Sequence, residues 1–100
     1  MTTRVVYSRH AAAEVEEITA FLAEHSQAAA NRFARALERA EQQLSRFPNS
    51  GAPGLLPGTR RLILVNYLVS YRRRGNDVEI FAVRHARRSD APARHPDPKD

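Results

Sequence analysis

Residues 67–88, YLVSYRRRGNDVEIFAVRHARR, decide the fold. Apolar β formers alternate with polar residues on both sides of Gly75-Asn76, which predicts a β-hairpin with a two-residue turn. Arg74 then faces Asp77 across the turn. The further predicted pairs are Arg72–Glu79, Tyr71–Ile80, Ser70–Phe81, Val69–Ala82, Leu68–Val83 and Tyr67–Arg84. The stretch carries six arginines. Folding a hairpin does not require that charge, which therefore indicates a binding partner.

The predicted hairpin has two unlike faces, because successive side chains of a strand point to opposite sides. The face expected to lie under helices consists of Tyr67, Val69, Tyr71, Val78, Ile80 and Ala82. The other face mixes apolar and charged groups, namely Leu68, Phe81 and Val83 with Arg72, Arg74 and Glu79.

Upstream of the hairpin the sequence predicts one strand and two helices. Residues 3–7 are a β-branched and aromatic run, and Ser8 can cap a helix over residues 9–24. Ser26 can cap a second helix, which must end before Pro48. The apolar stripes are Val15, Ile18 and Leu22 on the first helix and Phe33, Leu37, Ala40, Leu44 and Phe47 on the second. So short a connection predicts an antiparallel helical hairpin.

The segment between the helices and the hairpin predicts a loop and one more strand. Residues 49–58 are rich in glycine and proline and read as a loop. Residues 61–65, RLILV, predict a strand buried on both faces. The order β-α-α-β-β-β indicates one α+β domain over 1–88, a helical hairpin on an antiparallel sheet. The proline-rich tail 89–100 is expected to be disordered or ordered by a partner.

Composition narrows the class of protein. The chain has 100 residues, 42% of them hydrophobic, which fits a globular domain. Its net charge of +5 lies in the second half, because the first half balances six arginines with six glutamates. Such segregated charge indicates an acidic or polyanionic partner. Cysteine is absent, and no apolar run approaches the ~20 residues of a membrane span. We therefore expect a cytoplasmic protein.

Candidate catalytic groups are few. The histidines His10, His25, His85 and His95 have no metal-ligand spacing, and we expect neither metal nor cofactor. The glutamates of the first helix spread around it and are expected to be solvated. His85 could act as a general base toward a ribose 2′-hydroxyl, but a structural histidine at a strand end is the favoured interpretation. The arginines are the stronger signal, because guanidinium groups bind phosphate and carboxylate in bidentate fashion.

The sequence resembles a known family. The helical hairpin, the phrase FPNSGAPGLLPGTRRLILVNYLVSYRRRGNDVEIFAVRHARR and the element order are similar to the RelE/ParE superfamily of type II toxins, over residues 4–88. RelE-like members cut messenger RNA on the ribosome, and ParE-like members poison DNA gyrase. RelE-like members have an arginine where this chain has Leu68, and a tyrosine near the C-terminus that ARRSDAPARHPDPKD lacks. The resemblance is therefore closer to the ParE branch.

The resemblance implies a ParE-like toxin that inhibits bacterial growth by poisoning gyrase and that a cognate acidic antitoxin neutralises. The alternatives are a RelE-like endoribonuclease, with His85 as catalytic residue and ribosome and mRNA as partners, and a non-toxic basic nucleic-acid-binding module. No catalytic residue is assigned under the leading interpretation. The residues expected to bind the gyrase–DNA target are Arg60, Arg61, Arg72, Arg74, His85, Arg87 and Arg88. Those expected to bind the antitoxin are Arg72, Arg74, Phe81 and Arg84.

Overall fold

The computed structural model describes residues 2–86. The elements are β1 (Val5–Tyr7), α1 (Arg9–His25), α2 (Gln27–Arg46), β2 (Ala52–Pro53), β3 (Thr59–Leu64), β4 (Tyr67–Arg74) and β5 (Asp77–His85). Arg87, Arg88 and the tail 89–100 lie outside the described residues, and so does the predicted domain boundary.

One sheet of five strands carries the helical hairpin on one face, in the order β1-β5-β4-β3-β2. All neighbours are antiparallel except β1 and β5, which run parallel. The α+β class is confirmed, and the predicted element order holds apart from one additional strand, β2. The sheet is mixed rather than wholly antiparallel as predicted, because β1 pairs with β5 in parallel. The prediction of a loop without regular structure over 49–58 is wrong at Ala52–Pro53, which pairs with Arg60 and Arg61 at the sheet edge.

The helix caps are those the sequence predicts. The Ser8 hydroxyl accepts the amide of Ala11 at 3.0 Å, and the Ser26 hydroxyl accepts that of Ala29 at 3.2 Å. The apolar stripe of α2 ends earlier than expected, because Phe47 is the C-cap residue and 63% exposed. Pro48 disfavours helical backbone at the residue before it, which is Phe47. Neither helix within residues 2–86 is long and apolar enough to cross a membrane.

The core lies between the two helices and the central strands, as the two faces of the hairpin predict. Its buried members are Ala11, Phe33, Leu37, Leu44, Val69, Tyr71, Val78, Ile80 and Val83. Val15, Ile18 and Leu22 of α1 pack against this cluster at its border and stay partly exposed. The stripe of α2 therefore supplies more of the buried surface than the stripe of α1.

The register of the β4–β5 hairpin changes at a β-bulge. The predicted pairing holds from the turn to the Tyr71–Ile80 pair. Beyond it Ser70 opposes Ala82 instead of Phe81, so that Phe81 is an extra residue in β5. The predicted pairs beyond Tyr71 are therefore wrong by one position, because a bulge inserts a residue that no partner strand matches.

The bulge exchanges the two faces of the last part of β5, since side chains alternate with a period of two. Val83, predicted on the open face, is 1% exposed and belongs to the core. Ala82 takes a position opposite Ser70 on the other face. His85 now opposes Tyr67, the position that the unbulged register gave to Arg84.

The prediction that the RLILV strand is buried on both faces is wrong. The helices cover one face only, where Leu62 and Leu64 pack against the core. On the other face Ile63 is 74% exposed, and Arg61 is exposed as well. The domain thus has two layers, the sheet and the helices that cover one of its faces. The other face of the sheet is open at β3.

Two side-chain contacts hold β1 at its edge of the sheet. The Tyr7 hydroxyl donates a hydrogen bond to Glu41 of α2, and burial together with this bond raises the pKa of Tyr7. Arg4 Nη2 lies 2.7 Å from Asp77 Oδ2, and this hydrogen bond lowers the pKa of the Asp77 carboxyl. Both ends of a strand only three residues long are therefore anchored to the helices or to β5.

Leu37→Ala should lower the free energy of unfolding by about 2–5 kcal/mol, because it leaves a cavity under α2. Leu37 is 7% exposed and belongs to the core cluster. The neighbouring Glu38 is exposed, and Glu38→Ala is the matched control, with an expected change within about 0.5 kcal/mol. Urea denaturation followed by circular dichroism measures both; a Leu37→Ala loss below about 0.5 kcal/mol would show that the helix face is misassigned.

Candidate functional site

The open face of the sheet carries a group of arginines. In the strand register Arg61, Arg72 and Arg74 alternate with the core-facing residues and therefore point away from the helices, whereas Arg84 reaches Glu14 of α1. Arg72 and Arg74 lie near the Gly75-Asn76 turn, whereas Arg84 lies at the far end of the same hairpin. The predicted binding residues thus form two groups rather than one patch.

The group near the turn is built around Glu79. Arg72 Nε lies 3.0 Å from Glu79 Oε1, and Arg74 Nη1 lies 3.2 Å from the same oxygen. The Arg72 guanidinium carbon also lies 5.1 Å from the ring centroid of Phe81, a cation–π contact. Three of the four residues predicted to bind the antitoxin therefore do meet in space. Phe81 is only 2% exposed, so a partner arriving here meets the guanidinium groups first.

This group can bind a carboxylate or a phosphate. Glu79 is 8% exposed, and its carboxylate lies within ion-pair distance of both arginines, so the two guanidinium groups share it. The Arg74 side chain is 65% exposed and can turn toward a partner at little cost. Arg72 is held on both sides by Glu79 and Phe81 and is pre-oriented.

The group at the far end is built around Glu14 of α1. One carboxylate oxygen of Glu14 accepts the amide of Val83 at 2.7 Å. The other lies 3.5 Å from Arg84 Nε and 3.2 Å from His10 Nε2. Arg84 is therefore tied to the helix layer and lies apart from the other three predicted antitoxin residues.

The expectation that the glutamates of α1 are all solvated is wrong for Glu14. β1 ends at Tyr7, opposite Ile80, so β5 continues past it with a bare edge. The amide of Val83 on that edge requires an acceptor, and Glu14 supplies it in place of a strand. Periodicity alone could not identify this role, because the acceptor lies 69 residues from its donor.

His85 lies on the helix side of the sheet. Its ring meets Tyr67 edge-on with centroids 5.3 Å apart, and Tyr67 in turn packs on Phe33 at 4.9 Å. This aromatic stack joins the end of β5 to α2 and supports the favoured interpretation of His85 as a structural residue.

Arg60, predicted to bind the target, holds a loop in place. Its Nη1 donates to the carbonyl of Gly51 at 2.8 Å, and the amide of the same glycine donates to the Tyr71 hydroxyl at 2.8 Å. A Cβ at Gly51 would lie 2.6 Å from that hydroxyl and 2.7 Å from the carbonyl oxygen of Arg61, so only glycine fits. The amide and the carbonyl of Gly51 are thus both hydrogen-bonded, which fixes the connection from α2 to β2.

Arg60, Arg61 and His85 do not converge. Arg60 opposes Tyr71 whereas His85 opposes Tyr67, four positions further along β4, or ~13 Å at the strand rise. Arg61 points to the other face of the sheet. Among residues 2–86 no set of three histidine or acidic side chains is placed to hold a metal ion.

Arg60→Ala should lower the free energy of unfolding by about 1–3 kcal/mol, because it removes the donor to a buried carbonyl. The adjacent Arg61 is exposed and points to the open face, so Arg61→Ala should change stability by less than about 0.5 kcal/mol. Paired thermal and urea denaturation of the two variants tests this. Equal losses would show that the Gly51 contact contributes nothing particular.

The sequence matches the family described as "ParE toxin of type II toxin-antitoxin system, parDE" over residues 5–90. A protein of Sinorhizobium fredii, named "Putative toxin Y4kP", is 34% identical over 85 residues, which cover 83% of this chain and 88% of that protein.

Solved structures agree on the fold. The chromosomal ParDE toxin–antitoxin system from P. aeruginosa has a chain with a TM-score of 0.69 at 22% identity, covering 83% of this chain and 95% of that one. The YoeB/ParE toxin from Agrobacterium tumefaciens gives 0.59 at 16% identity, covering 83% and 98%. The family match extends over nearly the whole chain and includes every described strand and helix. The chain belongs to the ParE toxin family of type II toxin–antitoxin systems and is a member of the RelE/ParE superfamily.

Proposed function

We propose that this protein arrests bacterial growth in the cytoplasm by binding DNA gyrase on DNA and trapping the cleaved complex. Family membership supports a toxin. One structural observation supports a binding poison over a nuclease, namely that His85 packs on Tyr67 at the helix side of the sheet while Arg61 points to the opposite face.

A ribonuclease of this kind needs a proton acceptor and positive charge around one phosphate. Arg60 donates to Gly51 and lies ~13 Å along the sheet from the His85 pair, so Arg60, Arg61 and His85, the candidate groups within residues 2–86, do not surround a common point. Leu68 stands where RelE-like toxins have an arginine. A surface that binds without chemistry needs no such convergence, and distributed arginines are sufficient for it.

We further propose that an acidic antitoxin neutralises the protein by binding the open face of the sheet. Arg72 and Arg74 share the carboxylate of Glu79, and an incoming carboxylate can pair with Arg74, which is the more exposed of the two. Ile63 and Leu68 on the same face offer apolar surface. A segment that is disordered when free and carries acidic and apolar residues matches this surface, because it folds as it binds.

Induction without the antitoxin should produce double-strand breaks while protein synthesis initially continues, and purified protein should trap gyrase on cleaved DNA. Arg87→Glu with Arg88→Glu should weaken toxicity strongly, because the change repels an acidic target surface. His85→Phe, which keeps a ring beside Tyr67, should weaken it only modestly.

The same variants separate the ribonuclease. A general base typically contributes about 10²–10⁴-fold to rate, so His85→Phe would then nearly abolish activity. Ribosome-dependent cleavage of messenger RNA that is lost in His85→Phe, with an unchanged circular dichroism spectrum, would refute the gyrase proposal. Salt-sensitive nucleic-acid binding without growth arrest would favour the non-toxic basic module instead.

Arg72→Glu with Arg74→Glu should weaken antitoxin binding by about tenfold or more, because it replaces attraction by repulsion at the open face. Arg35 and Arg39 lie exposed on α2, and their joint reversal is a control of equal charge that should change affinity only weakly. Titration calorimetry at two salt concentrations measures both, with the antitoxin copurified from the native operon. A copurified partner that is basic would contradict the proposal.

A further inference from the structure

The turn between β3 and β4 holds a valine in a backbone conformation that valine disfavours. Val65 has φ +53°, whereas the other hairpin turn places Gly75 at φ +63°. β-branched residues are outliers in this region, and glycine or asparagine adopts it readily. Val65 is 70% exposed, so its side chain contributes little to the core. A strained position occupied by an exposed apolar side chain points to a use outside the fold.

Val65 lies at the turn end of an apolar stretch of the β3–β4 hairpin. Ile63, two positions earlier, is 74% exposed, and Leu68 opposes Ile63 in the strand register. We call Ile63, Val65 and Leu68 the β3–β4 knob. The neighbouring strand β2 pairs only with Arg60 and Arg61, so within residues 2–86 no strand extends alongside the knob. Single exposed apolar residues are ordinary on protein surfaces, but Ile63 and Val65 are exposed two positions apart, and the half-buried Leu68 lies opposite Ile63.

The β3–β4 knob is held rigidly. The carbonyl of Asn66 in the turn accepts the amide of Ala86 at 2.7 Å, which ties the turn to the end of β5. Tyr67, the first residue of β4, packs between the rings of Phe33 and His85. A partner that binds the knob therefore loses little conformational entropy in ordering it.

The charge around the knob favours a protein over a nucleic acid as its partner. Arg61 borders Ile63 on the same face, is exposed, and has no acidic partner within residues 2–86. Arg84, on the other side of Leu68, is paired with Glu14. Among the described residues around the knob, that leaves one cation without an acidic partner, which is little for a duplex that presents a phosphate every ~1.7 Å. An apolar pocket with a carboxylate at its rim complements the knob instead.

We propose that this protein binds its target through the β3–β4 knob, which inserts into an apolar pocket on the target's protein surface. Acidic side chains lie at the rim of that pocket. The proposal rests on the proposed function only in taking gyrase as that target. A few side chains in central, desolvated pockets carry most of the binding energy at protein interfaces, and the exposed arginines then supply orientation and association rate.

Val65→Gly is the decisive variant, because it removes the side chain while relieving the backbone. Its melting temperature should equal or exceed that of the parent protein. Trapping of gyrase on cleaved DNA should nevertheless fall about tenfold or more, as for a central anchor. Ile63→Ser should act in the same direction. Leu55→Ser is the matched control, since Leu55 is also 70% exposed but lies on the 49–58 loop, and it should trap gyrase within about twofold of the parent.

Trapping that stays within about twofold in both Val65→Gly and Ile63→Ser would overturn the inference. So would an unchanged gyrase affinity with a lost antitoxin affinity, which would make the knob an antitoxin site. A variant with a photo-crosslinking residue at position 63, added to the purified gyrase–DNA complex, should label the gyrase protein. Label on the DNA would show that the knob inserts between base steps, and it would refute a pocket on the protein surface. If the parent arrests growth without trapping gyrase and Val65→Gly relieves that arrest, the gyrase proposal fails while the anchor stands.

Discussion

The one-residue bulge in β5 determines where the functional groups of this protein lie. With Phe81 unmatched by β4, Val83 turns into the core and the following residues exchange faces. His85 is thereby brought against Tyr67, and the amide of Val83 is directed to a bare edge that Glu14 caps. Bulges re-aim side chains at sheet edges in this way. Without it, Val83 would face away from the core, and Arg84 would take the position opposite Tyr67 that His85 now holds.

Local patterns in the sequence predict most of the fold. Ser8 and Ser26 cap the two helices as their positions indicate, and Gly75-Asn76 sets the hairpin turn, because capping and turn formation depend on neighbouring residues only. The bulge has no such local signature. Two residues beyond it, the amide of Val83 donates to Glu14, which lies 69 residues earlier in the chain. A contact of that range is set by tertiary packing, which periodicity does not report.

The sequence predicts the positive charge of the candidate site, but only in part which groups the arginines contact. Counting arginines locates the positive half of the chain correctly, yet a guanidinium that holds a loop carbonyl looks the same in sequence as one that faces solvent. Arg60 and Arg61 are neighbours with opposite roles, because consecutive strand residues face opposite sides. The Arg72–Glu79 pair, in contrast, follows from the predicted hairpin register, because it lies between the turn and the bulge.

The rigid ladder of β4 also limits how the antitoxin and the target can compete. Leu68 of the β3–β4 knob and Arg72 are four positions apart on the same face, which is ~13 Å at the strand rise. An extended segment anchored at Arg72 and Arg74 therefore reaches the knob within about five residues, and a helical one within about nine. On the proposed function a single short antitoxin segment is enough to cover both the arginines and the knob. Neutralisation then requires no conformational change in the toxin, because the antitoxin occupies the surface that the target needs.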